Sequence, residues 1–213
     1  MRSHAPWHGI ERMAISLHEL TVVTATALET RAVVRALPSV RCIEAGIALR
    51  KLDHRQLSGL VVSCGLAGGL RDGAGTGTVV VPKSVSTSDG QSIACDDELR
   101  SALLDVARGL GLVVDEAPLV TSAALITGRE RAEWARRGFV AADMETGFLR
   151  VPRLAAVRVI LDTPQRELSP LWLQPARALA HPSIWPQALW LGRNAPRCAR
   201  LAATVLAGAV APA

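Results

Sequence analysis

The chain has no tyrosine and only two phenylalanines among 213 residues, although 49% of it is hydrophobic. Its core must therefore be built from Ala, Val and Leu. No apolar run reaches the roughly 18 residues that a spanning helix needs. The opening "MRSHAPWHGIERMAIS" has no apolar stretch of the kind a secretory signal carries. Residues 1–18 are expected to be a disordered extension, with Met13 a candidate start, and residues 19–213 one cytoplasmic domain. Cys42, Cys64, Cys95 and Cys198 are scattered without a C-x-x-C pair, and the five histidines form no H-E-x-x-H. Reduced thiols and no metal are expected.

Acid is missing from one whole region. Between Leu168 and Ala213 there is no Asp or Glu, while Arg177, Arg193, Arg197 and Arg200 are present and the net charge of the chain is +5. Three of the five tryptophans, Trp172, Trp185 and Trp190, lie there too. Such a basic helical segment, interrupted by Pro170, Pro175, Pro182, Pro186 and Pro196, fits peripheral contact with an anionic lipid surface. It fits equally a packed terminal helix with solvated arginines. The arginines are too sparse, and too bare of any known motif, for nucleic acid.

What the chain does contain is an alternation of buried strands and amphipathic helices. "ELTVVTAT" (19–26), "LSGLVVSCG" (57–65), "TVVVPKSV" (78–85), "FVAADME" (139–145) and "AAVRVILD" (155–162) read as strands. "APLVTSA" reads as a short one. "ALETRAVVRAL" has helical spacing. So does "DDELRSALLDVARGLGL", with Leu99, Leu103, Val106 and Leu110 on one face and Asp96 or Asp97 as N-cap. "GRERAEWARRG" reads as an exposed charged helix closing at Gly138. The pattern predicts an α/β fold with helices on both faces of the sheet.

Within "VAADMETGFLR" (140–150), Asp143 and Glu145 stand two residues apart. On this stretch alone the reading is structural: Asp143 caps a following helix and Glu145 sits in its first turn. Position in the sheet adds a second reading. Ligands of open α/β sheets bind beyond the carboxyl ends of the strands, where Glu29, the Gly65 loop, Glu145 and Asp162 would converge. "CGLAGGL" is not a dinucleotide fingerprint, because another strand rather than a helix follows it, and no G-K-[ST] is present. Its glycines allow close backbone approach to a ligand, with amides pointing at it.

"GLAGGL…GTVVVP", "AADMETG" and "VRVILD", in that order across residues 20–165, resemble the nucleoside phosphorylase and methylthioadenosine/S-adenosylhomocysteine nucleosidase superfamily. The short length and the segment after "RELSPLW" look like its hopanoid-associated branch, which releases adenine from adenosylhopane. The resemblance implies a three-layer sandwich with a central mixed sheet and cleavage of the N-glycosidic bond of a purine nucleoside, lipid-linked in that branch. A soluble nucleosidase for methylthioadenosine, S-adenosylhomocysteine or futalosine, and a non-catalytic nucleoside binder, are the alternatives. It implies no cofactor beyond phosphate as a co-substrate, and a homo-oligomer.

Residue by residue, the resemblance implies that Met144 packs under the ribose, Glu145 binds its hydroxyls and Asp162 acts as the acid toward N7 of the base. Glu29 and Arg31 would stand near the water or phosphate. Gly65, Leu66, Ala67 and Gly68 would line the ribose side, and "SAALITG" would be a base-binding strand with Leu125 and Ile126 over the purine. The chain departs from the family pattern at Leu161, where a serine is usual, at Leu125, where an aromatic is usual, and at Ser63, where many phosphorylases carry arginine. The segment between Glu145 and Asp162 is also short. In chemical terms an oxocarbenium-like transition state and a poor purine leaving group call for a carboxylate at the sugar and a proton or charge donor at the base.

Overall fold

The computed structural model describes residues 17–210 except 175, 176 and 179. Most of the expected N-terminal extension lies outside the described residues, as does Pro175. Its last two positions do not: Leu17–Glu19 forms a 3-10 turn leading into β1.

Ten strands form one mixed sheet: β1 Leu20–Thr24, β2 Arg41–Glu44, β3 Leu60–Gly69, β4 Val79–Val80, β5 Ser84–Thr87, β6 Ser92–Ala94, β7 Val114–Asp115, β8 Leu119–Thr121, β9 Ala141–Asp143 and β10 Arg153–Asp162. Their order is β6-β5-β8-β9-β3-β10-β4-β7, with β1 beside β3 and β2 beyond β1. Two long strands, β3 and β10, run parallel at the centre. The first half of β3 pairs with β1 on its other side and its last two residues pair with β9. Between those two partners lies the stretch Cys64–Ala67. The "TVVVPKSV" run, expected as one strand, is divided into β4 and β5 around Pro82, which has no N–H to give a ladder.

Side-chain alternation along the strands sorts the core into two faces. Leu20, Val22, Leu60, Val62, Ala155, Val157 and Val159 pack with helices α1 (Ala27–Ala36), α2 (Asp97–Gly109) and α4 (Trp185–Ala209). Val23, Val61 and Leu154 face away, against Ala45, Leu149 and the loop residues Leu49, Leu52 and Leu57. Helix α3 (Gly128–Arg136) closes the rest of this second face, where Trp134 meets Leu70, Val120 and Ile126. The core is aliphatic, as the composition requires.

The helices carry local signals. Thr26 and Glu29 cap α1 reciprocally, and Asp96 accepts from Leu99 N at 3.1 Å to begin α2. Leu99, Leu103, Leu104 and Ala107 form the buried face of α2, whereas Leu110, expected among them, is exposed. In the C-terminal segment, prolines begin the 3-10 turns Pro170–Leu173 and Pro182–Ile184, and Pro186 occupies the first turn of α4. Pro196 does not break α4 as its sequence position predicts. The following turns bury Cys198, Ala202, Ala203, Val205 and Leu206 against the sheet, and that burial offsets the lost backbone bond.

Candidate functional site

At the carboxyl ends of β3 and β10 lies a cavity of about 200 Å3. Leu66, Ala67 and Gly68 of β3, Met144 and Glu145 after β9, and Leu161 and Asp162 of β10 form its floor. Leu125 and Ile47 enclose it, and Leu168, Ser169, Trp172 and Leu173 make its rim. The carboxylates expected to converge, Glu145 and Asp162, do so here, at opposite sequence ends of the 144–162 segment.

The glycine stretch differs from its expected loop form. Residues Gly65–Gly69 continue β3, paired with β10 through Gly65↔Arg158, Leu66↔Val159 and Gly68↔Asp162. At Gly65 and Gly68 charged side chains lie against the strand and leave no room for a side chain. A Cβ at Gly65 would stand 2.2 Å from Glu29 Oε1 and 2.8 Å from an Arg158 terminal nitrogen. At Gly68 it would stand 3.1 Å from Asp162 Oδ1 and 3.3 Å from an Arg131 terminal nitrogen. The β10 register shifts between Ile160 and Asp162, a bulge that re-aims the carboxylate at the strand end.

Glu145 begins the 3-10 turn Thr146–Phe148. The helix expected after Asp143 is absent, because β10 follows within ten residues. The Ala48 amide donates to Glu145 Oε1 at 3.0 Å, from a loop in which Ala48 and Leu49 both hold left-handed φ (55° and 57°). Non-glycine residues in that conformation are uncommon and persist where packing over-determines them. Burial pushes the Glu145 carboxyl up to about 7, a shift that Arg158 opposes and Asp143 adds to. Asp143 turns inward instead. It accepts from Thr121 Oγ1 at 2.5 Å and from Thr146 N, and it pairs with Arg158 at 2.7 Å.

Arg158, on the buried side of β10, was given no role by the sequence beyond its place in a motif. Its guanidinium donates to Ser63 Oγ (2.6 Å) and Thr146 Oγ1 (2.8 Å), and lies 3.6 Å from Glu145. The cation beside Ser63 thus comes from the neighbouring strand.

Four expected residues are not brought into the cavity wall. Glu29 Oε2 accepts from Ala25 N, Thr26 N and Thr26 Oγ1, and its Oε1 accepts from Leu66 N at 2.8 Å. With three donors on Oε2 and one on Oε1, Glu29 caps α1 and ties it to β3. Gly65 lies over it, also outside the wall. Arg31 is exposed on α1, its Nε donating to Ala27 O, and is not positioned to hold a phosphate. Ile126 lines only a small void of about 30 Å3 behind the cavity. "SAALITG" is a loop following β8, and Leu125 alone of its apolar residues reaches the main cavity.

The largest surprise concerns α3. Its charged sequence reads as exposed, yet Arg131 is fully buried. Its Nε donates to Ile126 O at 3.0 Å, one terminal nitrogen donates to Gly69 O at 2.7 Å, and the other pairs with Asp162. Burial pushes Asp162 above its usual range, and Arg131 opposes that. Glu167, 3.5 Å from Arg131 Nε, accepts from Gly128 N and so joins the rim segment to the start of α3. A period-3.6 pattern with a lone arginine facing Trp134's side of the helix was the only available signal for it. Among the described residues no group of His, Cys, Asp and Glu could hold a metal ion.

No family model and no curated protein matches the chain. Solved structures do. A futalosine hydrolase mutant from Helicobacter pylori is 13% identical with a TM-score of 0.70, covering 90% of this chain and 97% of that one. The 5'-methylthioadenosine/S-adenosylhomocysteine nucleosidase from Neisseria meningitidis, in complex with methylthio-immucillin-A, is 17% identical at a TM-score of 0.68, with 90% and 97% covered. An S-adenosylhomocysteine nucleosidase from Streptococcus pyogenes is 12% identical at 0.68, with 90% and 95% covered. By this likeness the chain has the nucleosidase-type fold, a mixed ten-stranded sheet flanked by helices.

Proposed function

We propose that the chain cleaves the N-glycosidic bond of a purine nucleoside by hydrolysis. The observation that carries this is the convergence of Glu145 and Asp162 on one apolar-walled cavity at the strand ends. Glu145 would accept from the ribose hydroxyls and stabilise the positive charge that develops on the sugar. Met144 and Leu66 would bound the ribose, and Asp162 would face the departing base. The structures similar in fold include nucleosidases crystallised with methylthio-immucillin-A and with 5-methylthiotubericidin.

Water is favoured over phosphate as the nucleophile by the charges near Glu145. Glu29, Asp143 and Glu145 lie around Arg158, whose Nε and one terminal nitrogen are engaged by Asp143, Ser63 and Thr146 and whose other terminal nitrogen donates to Leu66 O at 3.4 Å. Arg31 is outside. A phosphate dianion in the cavity would meet the Glu145 and Asp162 carboxylates, and Arg158 already pairs with Asp143.

The finer reading is a lipid-linked adenosine such as adenosylhopane. The rim that closes the cavity is apolar (Leu168, Trp172, Leu173), and the adjoining Leu171, Trp185 and Leu189 are exposed in a segment without acids. A soluble methylthioadenosine-type substrate fits the same cavity. No helix among the described residues is long and apolar enough to cross a membrane, so lipid access would be from the bilayer surface.

The test is base release, read by chromatography, from adenosylhopane or a short-chain mimic and from methylthioadenosine, each with and without phosphate. Hydrolysis gives adenine in both conditions; adenine only with phosphate would replace water by phosphate, and no base from any nucleoside would overturn the reading. Flotation with anionic liposomes, comparing wild type with the Leu171→Ser, Trp185→Ser and Leu189→Ser combination, tests the lipid arm. Equal recovery of both would remove it.

A further inference from the structure

The rim of the cavity hangs on one side chain of α4. Gln187 is half-buried in the first turn of that helix, and its amide reaches three groups of the segment after β10. Its Oε1 accepts from the Trp172 indole Nε1 at 2.5 Å and from Ser169 N at 3.0 Å, and its Nε2 donates to Glu167 O at 2.8 Å. An indole and a backbone amide can only donate and a carbonyl can only accept, so a single orientation of the Gln187 amide satisfies all three. Three residues on, Trp190 has the Arg166 guanidinium 5.3 Å from its ring centre. The same face of α4 therefore backs the segment at two points.

The segment does little to hold its own shape. Its middle is one 3-10 turn, Pro170–Leu173, of the short kind whose hydrogen-bond geometry is poor. Leu171 and Leu173 are exposed, while Trp172 is half-buried and lines the cavity beside Leu168 and Ser169. With its N–H committed to Gln187, the indole gives the cavity an apolar wall.

We propose that Gln187 is a positioning residue for the substrate: it fixes the segment Glu167–Leu173 on α4 and so places the Trp172 wall against the 5′ substituent of the nucleoside. The inference rests on the nucleosidase reading of this site. In that reading Glu145 takes the ribose hydroxyls and Asp162 faces the base, both from the floor of the cavity. The 5′ substituent is the part left to meet the rim. The segment touches Asp162 through a long bond from Leu168 N (3.4 Å), and Arg131 holds that carboxylate independently. Loss of Gln187 therefore loosens the grip on the substituent and leaves bond breaking nearly unchanged, which is the signature of lost uniform binding.

Two measurements on the full chain test this. With nitrogen-labelled tryptophan, and the Trp172 indole signal assigned through Trp172→Phe, that N–H is expected to exchange with solvent about tenfold faster in Gln187→Met than in wild type. Base-release kinetics then compare methylthioadenosine with adenosine, whose 5′ group is a hydroxyl. Gln187→Met is expected to raise KM for methylthioadenosine about tenfold, with kcat within about threefold and KM for adenosine within about twofold. Gln187→Glu keeps both acceptor bonds and is expected to bring KM back to within about threefold of wild type. A general loosening of the fold would move both substrates together. Gln187 lies three turns ahead of Cys198, where the fully buried stretch of α4 begins, so both variants are expected to fold. Equal exchange of the indole N–H in wild type and Gln187→Met would overturn the proposal, as would a KM change that is the same for both substrates. If no nucleoside is cleaved, the nucleosidase reading falls alone, and calorimetric titration of the same two nucleosides makes the comparison as dissociation constants.

Discussion

The Asp143 carboxylate lies 2.7 Å from the Arg158 guanidinium, with both side chains 1% exposed. Of the two acids in "ADME", then, both border the cavity, but the first is committed to a buried ion pair. The pair ties β9 to β10 across β3, and Thr121, Thr146 and Ser63 satisfy its remaining hydrogen bonds. Removing the cation would leave Asp143 and Glu145 buried without their counter-charge. Arg158→Met is expected to cost about 3–5 kcal/mol, the usual penalty for breaking a buried pair from one side. Urea titration should show it as a lower midpoint, and a loss under about 1 kcal/mol would mean that the network is dispensable.

Glu145 gives a pH prediction with a definite sign. As a ribose acceptor it must be ionised, and its carboxyl titrates near 7 because burial raises it. The kcat/KM on methylthioadenosine should therefore rise with pH through about 7. Glu145→Gln should lose roughly 10²–10³ in rate, on the scale of removing one charge-stabilising group, and lack that limb. Stability runs the other way. A carboxyl whose folded value lies above its unfolded one favours the fold below the unfolded value and ceases to as pH rises through the folded one. Glu145→Gln should thus melt higher than wild type at pH 8, with the difference shrinking toward pH 4.5.

Which parts of this were legible beforehand follows from what periodicity can carry. The central strands β1, β3 and β10 were plain because continuous β-branched runs mark buried parallel strands. Of the acids expected at the strand ends, Glu29, Glu145 and Asp162, the last two border one cavity. Arg131 was hidden, because a helix with mean polarity that high looks solvated, and its three-residue spacing from Trp134 is the one mark of its buried side. Glu29 was misread for a related reason. A carboxylate three residues after Thr26 is both a capping-box acid and a site candidate, and only the fold shows it bonded to the Leu66 amide outside the cavity wall. The left-handed Ala48 that reaches Glu145 had no signal at all, since such backbone is normally announced by glycine.

Gly65 offers a steric test of the floor. A methyl group there would fall 2.2 Å from Glu29 Oε1, a separation no real Cβ adopts, and Glu29 has no slack because four donors fix it. Gly65→Ala should force β3 away from α1 and break the Leu66 bond to Glu29. Loss of stability of about 1–3 kcal/mol is expected from overpacking, with kcat falling more than binding as Leu66 shifts in the cavity wall. A variant that melts like wild type and keeps full activity would show that Glu29 can move aside at little cost.

Arg31 supplies the opposite expectation. Its side chain runs along α1 in solvent with its Nε on Ala27 O, outside the wall that Glu145 and Asp162 share. Substitutions at such positions usually change free energies by no more than about 0.5 kcal/mol, roughly a twofold effect. Arg31→Ala should leave kcat, KM and the phosphate dependence of base release within that margin. A tenfold loss confined to reactions containing phosphate would place an anion on α1 and reverse the case for water.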